Sequence, residues 1–223
     1  MELMKAAEQL RSDFQQVIGE HSSLVFTSSL GEEDQVITHL IAQNNWPVTI
    51  ATLDTGRHFP QYYDLIERTQ RLLDNPIKVY SPQASAVEYL VDSHGINGFY
   101  TSVEARKACC AVRKIEPLKR ALAQAEVWVT GLRAEQSNNR QDTPKYQRDA
   151  MTNTLKFNPL VDWSKEMIDQ YIEENKVPTN PLHKQGFVSI GCQPCTRAIT
   201  EGEHPRNGRW WWESSKKECG LHT

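Results

Sequence analysis

Short apolar runs of strand character alternate with segments of helical period along the first 131 residues, and this alternation constrains the fold more than any other feature of the chain. Residues 3–18 put Leu3, Ala7, Leu10, Phe14, Val17 and Ile18 at helical spacing, with Gly19 as a stop. Ser23–Thr27, Pro47–Leu53, Ile77–Tyr80 and Glu126–Thr130 read as strands. Helices are expected from about residue 32 to 41, 60 to 73 and 84 to 91, then along the stretch carrying Cys109 and Cys110, which Pro117 restarts or bends. Strands alternating with helices predict an α/β domain with a mostly parallel sheet flanked by helices. Residues 95–102 and 134–160 read as loops, 164–175 as a helix, and the C-terminal stretch as irregular, basic and aromatic. The length of 223 residues suits a single domain, with a mobile tail expected over about residues 205–223.

Ligands of such sheets bind beyond the carboxyl ends of the strands. Three strands here end in loops with chemical potential: Ser28-Ser-Leu-Gly31, Asp54-Thr-Gly56 and Gly131-Leu-Arg133. The first joins a strand to a helix, where hydroxyls, a glycine and free helix N–H groups hold an anion; capping and turn formation explain the same residues. Glu32, Glu33 and Asp34 follow at once, and their charge opposes an anionic ligand. Arg133 and Arg140 lie in the polar loop after the last of these strands, and arginine forks suit phosphate or sulfate oxygens.

The five cysteines are odd in number and fall as Cys109-Cys110, Cys192-x-x-Cys195 and Cys219. Neighbouring residues make poor disulfide partners, because trans Cα atoms sit about 3.8 Å apart and ordinary disulfides need roughly 4.4–6.8 Å. Two close pairs converging on a metal, with Cys219 left free, is the natural partition. Four thiolates suit tetrahedral zinc or an iron–sulfur cluster, and adjacent side chains reach two irons more easily than two sites on one small ion. A Cys-x-x-Cys redox dithiol is the competing reading, and it leaves Cys109 and Cys110 without a role. Lys114 follows Cys110 by one helical turn, so its cation could offset a thiolate cluster or reach an anionic substrate. Arg206 and Arg209 precede three consecutive tryptophans and could stack on rings or bind anions. Lys216, Lys217 and His222 flank Cys219 and favour its thiolate.

A net charge of −3, from 25 Lys and Arg against 28 Asp and Glu, argues against non-specific nucleic-acid binding. No apolar run approaches the roughly 18 residues of a membrane helix. The first ten residues are amphipathic and partly acidic, unlike a signal or transit peptide, so the expected compartment is the cytoplasm.

Taken together, these motifs resemble one family, the assimilatory, thioredoxin-dependent sulfonucleotide reductases. Within it the chain is most similar to the iron–sulfur branch acting on adenosine 5′-phosphosulfate (adenylyl sulfate). The resemblance runs from about residue 20 to the C-terminus. It is carried by Ser28–Asp34, Leu53–Gly56, Lys107–Lys114, Gly131–Arg133 with Gln136, Ser137 and Arg140, Gly191–Cys195, Pro205–Glu213 and Glu218–His222. It implies an adenine nucleotide alpha-hydrolase-like fold. It further implies that Cys219 attacks the sulfate sulfur, expels AMP and carries a Cys S-sulfonate, from which thioredoxin (or glutaredoxin) releases sulfite. By the same resemblance Cys109, Cys110, Cys192 and Cys195 hold a 4Fe–4S cluster. Lys114, Arg206, Arg209 and His222 lie at or near the phosphosulfate, Arg133 and Arg140 form an arginine loop, and Ser28, Ser29, Gly31, Leu53, Asp54 and Gly56 belong to nucleotide-binding loops. Thiolate attack on anionic sulfate requires such cations.

Three other readings compete: a reductase of the 3′-phosphorylated nucleotide, a cluster-bearing tRNA thiolation enzyme, and a zinc-stapled nucleotide-binding module. The thiolation enzyme needs a Ser-Gly-Gly-x-Asp-Ser-like loop, from which Ser28–Asp34 departs. Homo-oligomer formation stays open.

Overall fold

The structure, a computed structural model, describes residues 1–136, 141–200 and 202–213. A six-stranded sheet forms its centre. The strands are β1 (Leu24–Ser28), β2 (Val48–Leu53), β3 (Lys78–Tyr80), β4 (Val127–Val129), β5 (Tyr146–Arg148) and β6 (Leu155–Phe157). Their spatial order is β3-β2-β1-β4-β6-β5, parallel throughout except for the antiparallel edge strand β5. The helices are α1 (Glu2–Glu20), α2 (Glu32–Asn44), α3 (Pro60–Gln70), α4 (Ala84–His94), α5 (Val103–Cys110), α6 (Glu116–Ala121) and α7 (Lys165–Asn175).

The helical period expected near the N-terminus is the face that α1 buries: Leu3, Ala7, Leu10, Phe14 and Val17. They join Phe26, Val36, Ile37, Leu40, Val129, Phe157 and Ile168 in the main core. Burying Leu10 or Phe14 contributes on the order of 2 kcal/mol each. The opposite face of the sheet packs Val25, Ala51 and Trp128 against Leu118, Ala121 and Leu122.

Residues 134–160, expected as loop, contain β5 and β6. Both are only three residues long, Tyr-Gln-Arg in β5 and Leu-Lys-Phe in β6, too short to display a period. Lys156 nevertheless points inward, buried with its ammonium 4.7 Å from the Trp128 ring. Tyr146 stacks on Phe157 with ring centroids 5.0 Å apart. Residues 95–102 carry a short 3₁₀ turn, Gly98–Tyr100.

The cysteine-bearing helix starts at the Ser102 cap, whose hydroxyl accepts the Ala105 N–H. It widens into a π-helical turn, Ala111–Ile115, before α6. Pro117 has no N–H to continue the regular ladder, and the Glu116 N–H reaches back to the Ala111 carbonyl across the wider turn.

Candidate active site at the carboxyl ends of the strands

The chain winds from β1 out to β3 on one side, then returns to place β4 on the other side of β1. The crevice between the β1 and β4 ends is therefore the topological switch point, where α/β sheets bind ligands. The loops after β1 and β4 meet there through Asp34. Its Oδ2 accepts the Ser29 N–H and the Ser29 hydroxyl, both at 2.6 Å. Its Oδ1 lies so close to Gly131 that a Cβ there would sit 2.0 Å away. Gly131 is thus required for a close approach, and Asp34 organises both loops.

The other two acids of the first turn are also paired. Glu33 lies 3.0 Å from Arg133, and Glu32 lies 3.2 Å from Lys165. Burial pushes the Glu33 carboxyl up, but hydrogen bonding from Gln136 and the Arg133 charge outweigh it and hold the group below its usual range. The electrostatic conflict expected from three acids behind an anion loop is resolved by these long-range partners. Arg133 is buried, pairs also with Glu135 at 3.2 Å, and donates to the Trp163 carbonyl.

In the first loop the Ser28 hydroxyl accepts the Leu30 N–H, and Leu30 adopts a positive φ of 59°. Gly31 caps α2. In the second loop Asp54 accepts the Gly56 N–H and the Tyr63 hydroxyl at 2.8 and 2.9 Å. Burial and the Asp54 carboxylate push the Tyr63 hydroxyl up to about 12. The His58 Nε2–H donates to the Leu53 carbonyl at 3.0 Å. The His58 ring stacks on Tyr62 with centroids 3.8 Å apart. Burial, offset in part by the Leu53 bond and reinforced by Lys114, pulls its pKa down to about 4.

Cys109 and Cys110 from α5, and Cys192 and Cys195 at the start and end of a 3₁₀ turn, line one cavity together with Arg106, Arg113, Lys114 and Trp210. None of the four is in a disulfide. The Thr55 hydroxyl contacts the Cys192 sulfur at 3.3 Å, and Arg113 donates to the Thr55 carbonyl at 2.6 Å. The loop after β2 is therefore joined directly to the cysteine cavity. Burial raises the Cys192 thiol, but Lys114, the Thr55 bond, Arg209 and Arg113 outweigh it and lower its pKa. Cys195 goes the other way, pushed up to about 12 by burial and by Cys192. Arg209 is buried against Gly191, where a Cβ would lie 2.2 Å from its guanidinium.

Of the residues singled out from the sequence, the four cysteines and Lys114 come together around this cavity. Arg209 joins them electrostatically, and Arg206 begins the turn whose carbonyl accepts the Arg209 N–H. Ser28, Ser29 and Gly31 border the switch-point crevice; Leu53, Asp54 and Gly56 form the neighbouring loop. Arg133 sits among carboxylates beside that crevice and not in the cysteine cavity. Arg140, Cys219 and His222 lie outside the described residues, whereas Pro205–Glu213 lies within them, with Arg209 and Trp210 buried. Sequence reasoning missed Thr55, Arg113 and the role of Asp34. Thr55 and Asp34 stand inside quoted motifs, but their partners are remote in sequence.

Residues 23–198 match the family model of the phosphoadenosine phosphosulfate reductase domain. A protein of Allochromatium vinosum named adenosine 5′-phosphosulfate reductase is 52% identical over 208 residues, covering 93% of this chain and 81% of that protein. One of the same name from Burkholderia cepacia is 45% identical over 222 residues, covering 99% and 89%. Among solved structures, the phosphoadenylyl-sulfate reductase of Candida auris in complex with phosphate superposes with a TM-score of 0.71 at 26% identity, covering 87% of this chain and 90% of that one. The FMN adenylyltransferase of Candida glabrata, at 17% identity and a TM-score of 0.63 over 100% of this chain and 77% of that one, shares the fold alone. The sheet is accordingly of the adenine nucleotide alpha-hydrolase-like kind. With four-fifths of its length inside the matched domain, the chain belongs to the phosphoadenosine phosphosulfate reductase family.

Proposed function

We propose that this chain reduces adenosine 5′-phosphosulfate to sulfite and AMP in sulfate assimilation, through an S-sulfonate on Cys219 that thioredoxin resolves. The observation that carries the reading is the junction of two sites: switch-point loops suited to a nucleotide, joined through Thr55 to a cation-rich cavity lined by four thiols. Relatives named for this activity support it across nearly the whole chain.

The cavity fits an iron–sulfur cluster. Its four thiols line one pocket beside Arg106, Arg113 and Lys114, whose cations offset thiolate charge. The Trp210 indole N–H, the Arg113 Nε and the Arg209 Nε are buried without a protein partner. Buried donors left unpaired are costly, and acceptors of an anionic, sulfide-bearing group satisfy them. Cys109, Cys110, Cys192 and Cys195 would hold a 4Fe–4S cluster, which supplies fixed charge next to the substrate. A zinc-stapled module fits less well, because the adjacent Cys109 and Cys110 reach two irons more easily than two sites on one small ion.

The chain's own residues perform the chemistry. The Ser28–Gly31 and Leu53–Gly56 loops bind the nucleotide, while Arg133 holds the Gly131 loop through its carboxylate partners. Lys114, Arg206, Arg209 and His222 offset the repulsion between a thiolate and an anionic sulfate, and Arg140 adds to that field. The Cys219 thiolate bonds to the sulfate sulfur as the bond from that sulfur to the bridging oxygen breaks, and AMP leaves with the electron pair. A thioredoxin (or glutaredoxin) thiolate then attacks the Cys219 sulfur. Sulfite departs with the electron pair of the S–S bond, and the second thioredoxin thiol closes the disulfide and frees Cys219. Overall the substrate gains two electrons, the dithiol loses them, and two protons are released. The cytoplasm, where thioredoxin is kept reduced, is the matching compartment.

The test is an anaerobic incubation of reduced protein with adenosine 5′-phosphosulfate, in parallel with its 3′-phosphorylated form, without thioredoxin. Peptide mass mapping should find one SO₃ on Cys219, formed faster from the first nucleotide and released as sulfite by thioredoxin. Absence of an adduct with both nucleotides, in protein containing iron, would sink the reading.

A further inference from the structure

The most heavily buried ion pair among the described residues lies outside the substrate site and has no part in the chemistry above. Arg106, on α5, meets Glu213 through two parallel hydrogen bonds, Nε to Oε1 at 2.6 Å and Nη2 to Oε2 at 3.0 Å. The two side chains are 1% and 5% exposed. Taking both charges out of water is expensive, and pairs of this kind are retained where they specify one arrangement of the chain.

Three more observations converge on the same point. Two guanidiniums stack on Trp210, those of Arg106 and Arg209 at 4.6 and 4.7 Å from its ring centroid. It is buried at a φ of 42°, a left-handed conformation that a bulky residue adopts only under constraint from its surroundings. Its backbone N–H donates to the Cys195 carbonyl, and the Glu213 backbone N–H returns to the Trp210 carbonyl, closing a tight turn against the cysteine cavity. Arg106 also hydrogen-bonds Cys110, so one guanidinium touches a cavity cysteine and the end of this turn.

We infer that the Arg106–Glu213 pair is a clamp that sets the departure point and direction of the chain leading to Cys219, which makes both of them positioning residues for sulfur transfer. The inference rests on the reading of Cys219 as the nucleophile. Cys219 is the sixth residue after Glu213, so chain length alone keeps the nucleophile within roughly 20 Å of the clamp. Within that radius the direction of departure governs how often the thiolate meets the sulfate in line, and a displacement of about 1 Å can reduce a rate about a hundredfold. The buried guanidinium–carboxylate pair, the stacked tryptophan and the positive φ all serve to fix that direction.

The experiment measures single-turnover formation of the Cys219 adduct in Glu213→Gln, Glu213→Asp and Arg106→Lys, under anaerobic conditions without thioredoxin. Iron content and AMP affinity are measured on the same samples. Glu213→Gln should slow adduct formation about tenfold or more, with iron content and AMP affinity within about twofold of the parent. Glu213→Asp, which restores the charge, should recover part of the rate. Adduct formation at the parent rate in Glu213→Gln overturns the clamp. Loss of iron and AMP affinity in parallel with the rate, in all three variants, overturns it equally, because the pair would then only hold the cavity together. If the parent protein itself forms no adduct, the reading of Cys219 fails and the clamp falls with it, a result distinct from either of these.

Discussion

His58 shows how much one side chain's surroundings decide. Its Nε2–H is committed to the Leu53 carbonyl and its ring to Tyr62, and it is faced by Lys114, Arg209 and Asp54. Burial, with Lys114 and Arg209 adding to it, lowers its pKa from 6.5 to about 4, against the pull of Leu53 and Asp54. The folded state therefore favours the neutral ring. In unfolded chain the ring takes up a proton near 6.5, so between that pH and about 4 the unfolded state binds more protons. Stability from this group is complete above 6.5 and falls as the pH drops through that window, by up to about 3 kcal/mol. Urea unfolding of His58→Asn should accordingly show a shallower loss of stability between pH 6.5 and 4 than the parent. Equal slopes would mean that the ring is not held neutral. Asp34 has the opposite character: its carboxylate is spent on Ser29 and on a space that only Gly131 leaves open, so charge and shape are set together.

At the scale of elements, two helices begin with the same device and serve different ends. Ser102 caps α5, which carries Cys109 and Cys110, and Ser164 caps α7, which packs on the main core through Ile168 and Tyr171. Replacing either serine by alanine should lower stability by about 1 kcal/mol. Ser102→Ala should also lower the iron retained per chain after anaerobic dialysis, whereas Ser164→Ala should retain the parent amount. If both variants keep all their iron, the start of α5 does not position the thiols. The π-helical turn that follows α5 was legible only as a place where Pro117 disturbs a helix. Its widened geometry, with Arg113 and Lys114 both lining the cavity, depends on what the helix packs against.

In the whole molecule the apolar packing is divided. The main core lies on one face of the sheet, whereas Phe99, Cys192, Cys195 and Trp210 form a separate small cluster with Cys109 and Trp212. Such a satellite buries too little apolar surface to order the segment from Gly191 to Glu213 by itself. Anaerobic chelation of iron, or Cys192→Ser, should therefore speed hydrogen exchange at the Cys195, Arg197 and Trp210 amides. The β1 and β4 amides of Phe26 and Val129 should keep their protection. Uniform loss of protection would show that the sheet and the cavity unfold as one unit.

Sequence by itself determined the features that depend on near neighbours in the chain: the alternation of strands and helices, the α1 face, the loops at the strand ends and the two cysteine pairs. Each is carried by periodicity or by residues within a few positions, which sequence displays directly. β5 and β6 escaped because three residues are too few to display a period. Tertiary structure alone decided which charges meet. Glu33 finds Arg133 across 100 positions, Arg106 finds Glu213 across 107, and Thr55 finds Cys192 across 137. The energy of an ion pair or hydrogen bond depends on distance, burial and geometry in space, and a charge in sequence carries no record of its partner. That is why the acids after Ser28–Gly31 read as an obstacle to an anion, and why the fold turns them into the supports of the loops at its strand ends.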